Sequence, residues 1–155
     1  MGPSSAINSY NLGIGCLEDN DLAGAIEYLE LATQQDPAYA AAHCSLGLAY
    51  HNSGRLAEAI RSYSRALELD PQSVSAYTRL ANAYGKLGMF DHAIEQFERA
   101  IALDPAFPYA YLGIASAYDC RGDFPQAVTW YQKALEVGLD PWYQERVATR
   151  LEQIH

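Results

Sequence analysis

The sequence predicts an all-α solenoid: four tandem helix-turn-helix units closed by a C-terminal capping helix. Three observations carry that expectation. Side-chain types recur every 34 residues, so that Leu46, Tyr50, Gly54, Ala59, Tyr63, Ala66 and Pro71 return as Leu80, Tyr84, Gly88, Ala93, Phe97, Ala100 and Pro105. A turn former stands at the same phase of every unit, as Asn20, Gly54, Gly88 and Gly122. A proline then closes each unit: Pro37, Pro71 and Pro105 are 34 residues apart and Pro141 follows after 36. A unit this short cannot bury its own apolar face, so copies must stack and share one core.

Taken in order, residues 1–5 read as a flexible tail or a cloning remnant, followed by units at about 6–39, 40–73, 74–107 and 108–141. The first helix of unit one starts near Ala6 and carries Leu12, Gly13 and Cys16; Asn20 ends it, because Asn substitutes for Gly where a helix end turns left-handed. A second helix then carries Ala25, Leu29 and Ala32 up to Pro37. The second helices of the later units repeat an apolar stripe at helical spacing: Ile60, Tyr63 and Leu67, then Ile94, Phe97 and Ile101, then Val128, Tyr131 and Leu135. Small residues recur where paired helices must approach closely, Gly47, Ala81 and Ala115 on one and Ala59, Ala93 and Ala127 on the other. Gly138 offers a helix cap, and residues 142–155 place Tyr143, Val147, Leu151 and Ile154 on one stripe of a half-polar helix suited to cover the end of the stack.

Composition narrows the function classes. The chain has 155 residues, half of them apolar, enough for one domain that removes roughly 68–70% of its unfolded surface from water. No stretch approaches the ~20 apolar residues of a membrane span, and the opening MGPSSA lacks the basic and apolar regions of a secretion signal. A net charge of −9 argues against nucleic acid, whose phosphates demand a basic surface. Cys16, Cys44 and Cys120 are odd in number and lack CxxC spacing, which points to free thiols in a reducing, cytoplasmic compartment.

The signature Leu-Gly/Ala-x-x-Tyr, then Gly, Ala, Tyr/Phe, Ala and Asp-Pro, on a 34-residue period resembles the tetratricopeptide repeat family over about residues 6–141. Departures are mild: the early aromatic of the first helix is Ser9, His43, Tyr77 and Tyr111 here, and the tyrosine of unit one is Cys16. The resemblance implies a right-handed superhelix of antiparallel helix pairs. It implies that the first helix of each pair lines a concave groove holding a peptide, tail or helix of another protein. The function it implies is that of a scaffold or assembly adaptor, with no catalytic residue and no cofactor.

With that orientation, 100° per residue turns one set of side chains inward. The groove set is Tyr10, Ile14 and Leu17 in unit one and Cys44, Leu48, His51 and Asn52 in unit two. Unit three contributes Thr78, Arg79, Asn82 and Lys86, and unit four Tyr109, Leu112, Ser116 and Asp119. The wall is graded, apolar at its N-terminal end, cationic and amide-bearing in the middle, aromatic-polar beyond. Arg79, Asn82 and Lys86 suit a carboxylate or acidic segment. The family's chaperone-tail clamp wants Lys and Asn in unit one, Asn in unit two, and Lys with Arg in unit three. Tyr10, Ile14, Ser45 and Ser75 stand in four of those places and only Arg79 fits, which argues against that ligand.

The alternative function is self-association: Ile7, Tyr10, Ile14 and Leu17 form an apolar stripe on a helix with no repeat before it. Catalytic and metal chemistry find no support. Cys44 and His51 share a face but are separated by roughly 10 Å of helix, too far for one ion. Glu27 and Glu30 read as a solvated convex pair, and the glycines serve turns and packing rather than a phosphate loop.

Overall fold

The computed structural model describes residues 2–155, which form nine α-helices and no strand. They are α1 (Pro3–Glu18), α2 (Leu22–Gln35), α3 (Ala40–Asn52), α4 (Leu56–Leu69), α5 (Val74–Lys86), α6 (Phe90–Leu103), α7 (Pro108–Arg121), α8 (Phe124–Val137) and α9 (Pro141–Ile154). Each odd helix pairs with the even helix after it, and the even helix then packs on the next odd one, ending with α8 on α9. The odd helices also touch one another in sequence from α1 to α7, which makes them the inner wall of the stack. This is the α-solenoid that the periodicity predicts.

The turns inside the pairs confirm the role of the phased residue. Asn20 has φ 59°, and Gly54, Gly88 and Gly122 have φ 78°, 75° and 81°, all in the left-handed region that Gly and Asn tolerate best. Between units the Asp of each Asp-Pro does a second job. Asp36, Asp70 and Asp104 each accept, through Oδ1, the N–H of the residue two places on, at 3.1 Å. That bond fixes a tight turn before the next helix. Asp21, Ser73, Asp123 and Asp140 accept from backbone N–H groups in the first turns of α2, α5, α8 and α9, satisfying donors that a helix start leaves unpaired.

Three apolar clusters run along the stack, centred on Leu29 with Tyr63, on Phe97 with Ile114, and on Tyr131 with Val147. Ala59, Ala93 and Ala127 are buried, as the close-approach reading requires. Ile94 is buried and Ile60 packs on the first cluster, so the second helices turn these residues to the core and not to the inner wall. The approach is tightest where no Cβ exists: one added at Gly113 would lie 2.2 Å from Phe97 Cζ on the preceding helix.

Three expectations need correction. Pro3 to Ser5 are helical and not a tail, because Pro at the first helical position needs no N–H partner and already has helical φ; Met1 lies outside the described residues. Leu12 is exposed, although the 34-residue period pairs it with the buried Leu46 and Leu80. Glu30 is not a free convex carboxylate: it takes a short hydrogen bond from the buried Tyr50 hydroxyl.

Two glycine replacements separate packing from propensity. Gly113→Ala should lower unfolding free energy by about 1–3 kcal/mol through overpacking. Gly85→Ala, where an added Cβ meets nothing within 4 Å, should raise it by about 0.5–1 kcal/mol. Urea titrations of both variants check the pair of signs.

Candidate functional site

The inner wall opens into three hollows. The first, about 310 Å³, lies where α1, α3 and α5 meet and is lined by Tyr10, Cys44, Leu48 and Arg79. The second, about 490 Å³, is lined by His51, Thr78, Asn82, Lys86, Tyr109, Leu112 and Ser116. The third, about 590 Å³, shares Leu112 and Ser116 with the second and reaches Asp119. Of the residues expected in the groove, these twelve line a hollow. The other three do not: Leu17 packs on the first core cluster, Ile14 is half-buried outside the hollows, and Asn52 is exposed at the end of α3.

Two cations, Arg79 and Lys86, stand in the middle of this wall. Arg79 Nε donates to Ser75 Oγ at 3.1 Å, one turn back on the same helix, which holds the guanidinium along α5. The ion pairs among the described residues join Arg55–Glu58, Arg65–Glu68, Arg99–Glu95, Arg121–Asp91 and Arg150–Asp119, and leave Arg79 and Lys86 without an acidic partner. Their field is felt by His51: burial first, then Lys86 and Arg79, hold its imidazole below the usual value, so it is neutral at pH 7. Its Nδ1 is buried with no hydrogen-bond partner.

The neighbouring groups are inert. Burial pushes the Cys44 thiol up, with Arg79 opposing only in part, so the nucleophilic thiolate is scarce. Burial carries the Tyr63 phenol behind it to about 12. No three His, Cys, Asp or Glu side chains among the described residues converge as metal ligands. The wall therefore offers donors, cations and apolar surface, which is equipment for recognition.

The comparisons agree with this architecture. Family models described as TPR repeat match residues 16–54 and 50–88, and tetratricopeptide repeat models match 74–107 and 110–141. The chain belongs to the tetratricopeptide repeat family. Among solved structures, a crystal structure of MamA is 31% identical with a TM-score of 0.83, over 95% of this chain and 82% of that one. A MamA fragment from Desulfovibrio magneticus RS-1, residues 41 to the end, has a TM-score of 0.87 at 23% identity, over 97% and 83%. The first TPR of Spaghetti (RPAP3), bound to the HSP90 peptide SRMEEVD, has a TM-score of 0.76 at 19% identity, over 79% and 97%. These last two likenesses concern the fold alone. No curated protein sequence matches.

In this tetratricopeptide stack α9 does more than cover an apolar end. Its Tyr143, Arg146 and Arg150 line the second and third hollows. Arg150 donates to both carboxylate oxygens of Asp119, Nη2 to Oδ1 at 2.7 Å and Nε to Oδ2 at 2.8 Å, and the Tyr131 hydroxyl adds a third bond at 2.9 Å. Asp119 is thus an anchor for α9 and not a free acceptor: only 12% of its side chain is exposed. At the start of α9, the Tyr109 hydroxyl donates to Asp140 Oδ2 at 2.7 Å and its ring meets Tyr143 edge-on at 5.4 Å. Sequence reasoning missed the α9 contribution because Tyr143 was assigned to a capping stripe; its 34-residue spacing from Tyr109 was the available signal.

The Arg150 and Tyr131 bonds hold the Asp119 carboxyl below its usual value, about 3.9. The stabilisation is therefore complete above that value and is lost as pH falls through the depressed folded value. Amide exchange in α9 should rise in that acid range before α1–α6 respond. Asp119→Asn should show the same loosening at pH 7; unchanged α9 exchange in that variant would contradict the anchor.

Proposed function

We propose that the protein is a non-enzymatic adaptor whose concave groove captures an acidic segment of another protein, with carboxylates seated on Arg79 and Lys86 and backbone groups met by Asn82. The observation that carries this reading is that Arg79 and Lys86, on one face of α5 at the centre of the wall, have no acidic partner in a chain of net charge −9. Opposite charge in a concave wall fixes register and speeds encounter. Tyr10, Leu48, Tyr109 and Leu112 supply apolar contacts on either side of the cationic centre. The peptide seated on the Spaghetti domain supports a protein ligand in general. It does not transfer its sequence, since four of the five clamp positions differ here.

The setting proposed is cytoplasmic, supported by three free cysteines. No described helix is long and apolar enough to cross a membrane. Self-association through α1 has weaker support than the groove. Of Ile7, Tyr10, Ile14 and Leu17 only Ile7 is exposed, while Tyr10 lies 5.0 Å from the Tyr39 ring and Leu17 joins the core.

Arg79→Glu with Lys86→Glu tests the reading. A labelled peptide rich in Asp and Glu should bind the native chain in low salt and bind the double variant roughly tenfold or more weakly, about 1.4 kcal/mol. Fluorescence anisotropy measures this. The His51 titration, followed by NMR, should shift upward in the same variant, which checks the field without a ligand. Equal binding by both proteins would refute the acidic-segment reading.

A further inference from the structure

The second hollow differs in kind from the first. Hydroxyls and charges edge the first, from Tyr10, Ser45, Asp70, Ser73, Ser75 and Arg79. The second, about 490 Å³, is floored by Ala81, Ala93, Phe97, Gly113 and Ala117. Its room comes from small residues. Gly113 lets the Phe97 ring lie where an added Cβ would be 2.2 Å from Cζ, and on α5 a Cβ at Gly85 would meet nothing within 4 Å. An apolar hollow of this size with a few polar groups at its edge is shaped to take a ligand side group.

Aromatic rings crowd one side of it. Phe107, Tyr109, Tyr143 and Trp142 form a chain of edge-on rings with successive centroids 5.6, 5.4 and 4.6 Å apart. Tyr109 and Tyr143 line the hollow, and Tyr109 is 36% exposed. The hydroxyl bond from Tyr109 to Asp140 holds that ring in place before any ligand arrives. From α5, Lys86 lines the same hollow with no acidic partner. An aromatic side chain there gains edge-to-face contacts with the tyrosines and a cation–π contact with the Lys86 ammonium, neither of which an aliphatic one can make.

We propose that the second hollow seats one aromatic side chain of the acidic segment, whose neighbouring carboxylates lie on Lys86 and Arg79. This rests on the groove reading above and adds what selects among acidic segments. Cations steer any carboxylate-rich chain, whereas a ring buried in a fitted hollow favours the chain that carries one.

The test uses the full chain and three labelled peptides of equal charge, each a run of Asp and Glu with Ser, Leu or Trp at its centre. Anisotropy should show the Trp peptide binding roughly tenfold more tightly than the Ser peptide, with a smaller gain for Leu. Gly85→Leu, whose side chain enters open space in the hollow, should erase the Trp gain while melting no lower than the native chain. The Trp peptide should also slow alkylation of Cys120, which is exposed and lines this hollow, and not that of Cys16, which lines none; mass spectrometry reads each thiol. A Ser peptide that fails to bind the native chain refutes the groove reading and the anchor with it. A Ser peptide that binds, with no gain from Trp, an equal gain from Leu, or a Trp gain that survives Gly85→Leu, overturns the anchor alone. So does Cys120 protection that grows with protein concentration in the absence of peptide, since a second copy of the chain would then fill the hollow.

Discussion

The closeness with which each helix meets its neighbours is the constraint on which the other features depend. Gly47 sits so near the Tyr63 ring, and Gly113 so near Phe97, that a single methyl has no place. Buried alanines at 59, 93 and 127 keep the partner surfaces equally low. Large side chains from the second helices, Tyr63, Phe97 and Tyr131, then fill the space between pairs. With each first helix packed between second helices and touching the next first helix, the first helices line one wall.

That wall is chemically uneven, and its unevenness follows from which cations find acids. Arg150 is neutralised by Asp119 and Arg121 by Asp91, so these cations are matched across the borders of the fourth unit. Arg79 is held by a serine hydroxyl, which orients it without cancelling its charge. Lys86 lies two turns along the same face, and burial together with the Lys86 and Arg79 charges holds the His51 imidazole below its usual value. The centre of the groove thus carries two cations without an acidic partner in an acidic protein.

The two ends of the stack solve the same problem differently. At the C-terminal end α9 shields the last apolar cluster and is tied down by Arg150, Asp140 and Tyr143. At the N-terminal end α1 leaves Ile7 and Leu12 exposed.

The chain by itself determined the architecture, because periodic spacing is a one-dimensional property and each unit repeats the same local instructions. Turn residues with positive φ and small residues such as Gly47, Ala59 and Ala93 at close approaches were legible from the 34-residue period and helical geometry. Tertiary structure alone decided what depends on neighbours distant in sequence. It sent Leu12 to solvent, drew Leu17 into the core, gave Glu30 to Tyr50 and converted Asp119 from a groove acceptor into the anchor of α9. A repeat specifies how a residue faces, but only the presence or absence of the adjoining helix specifies what it meets.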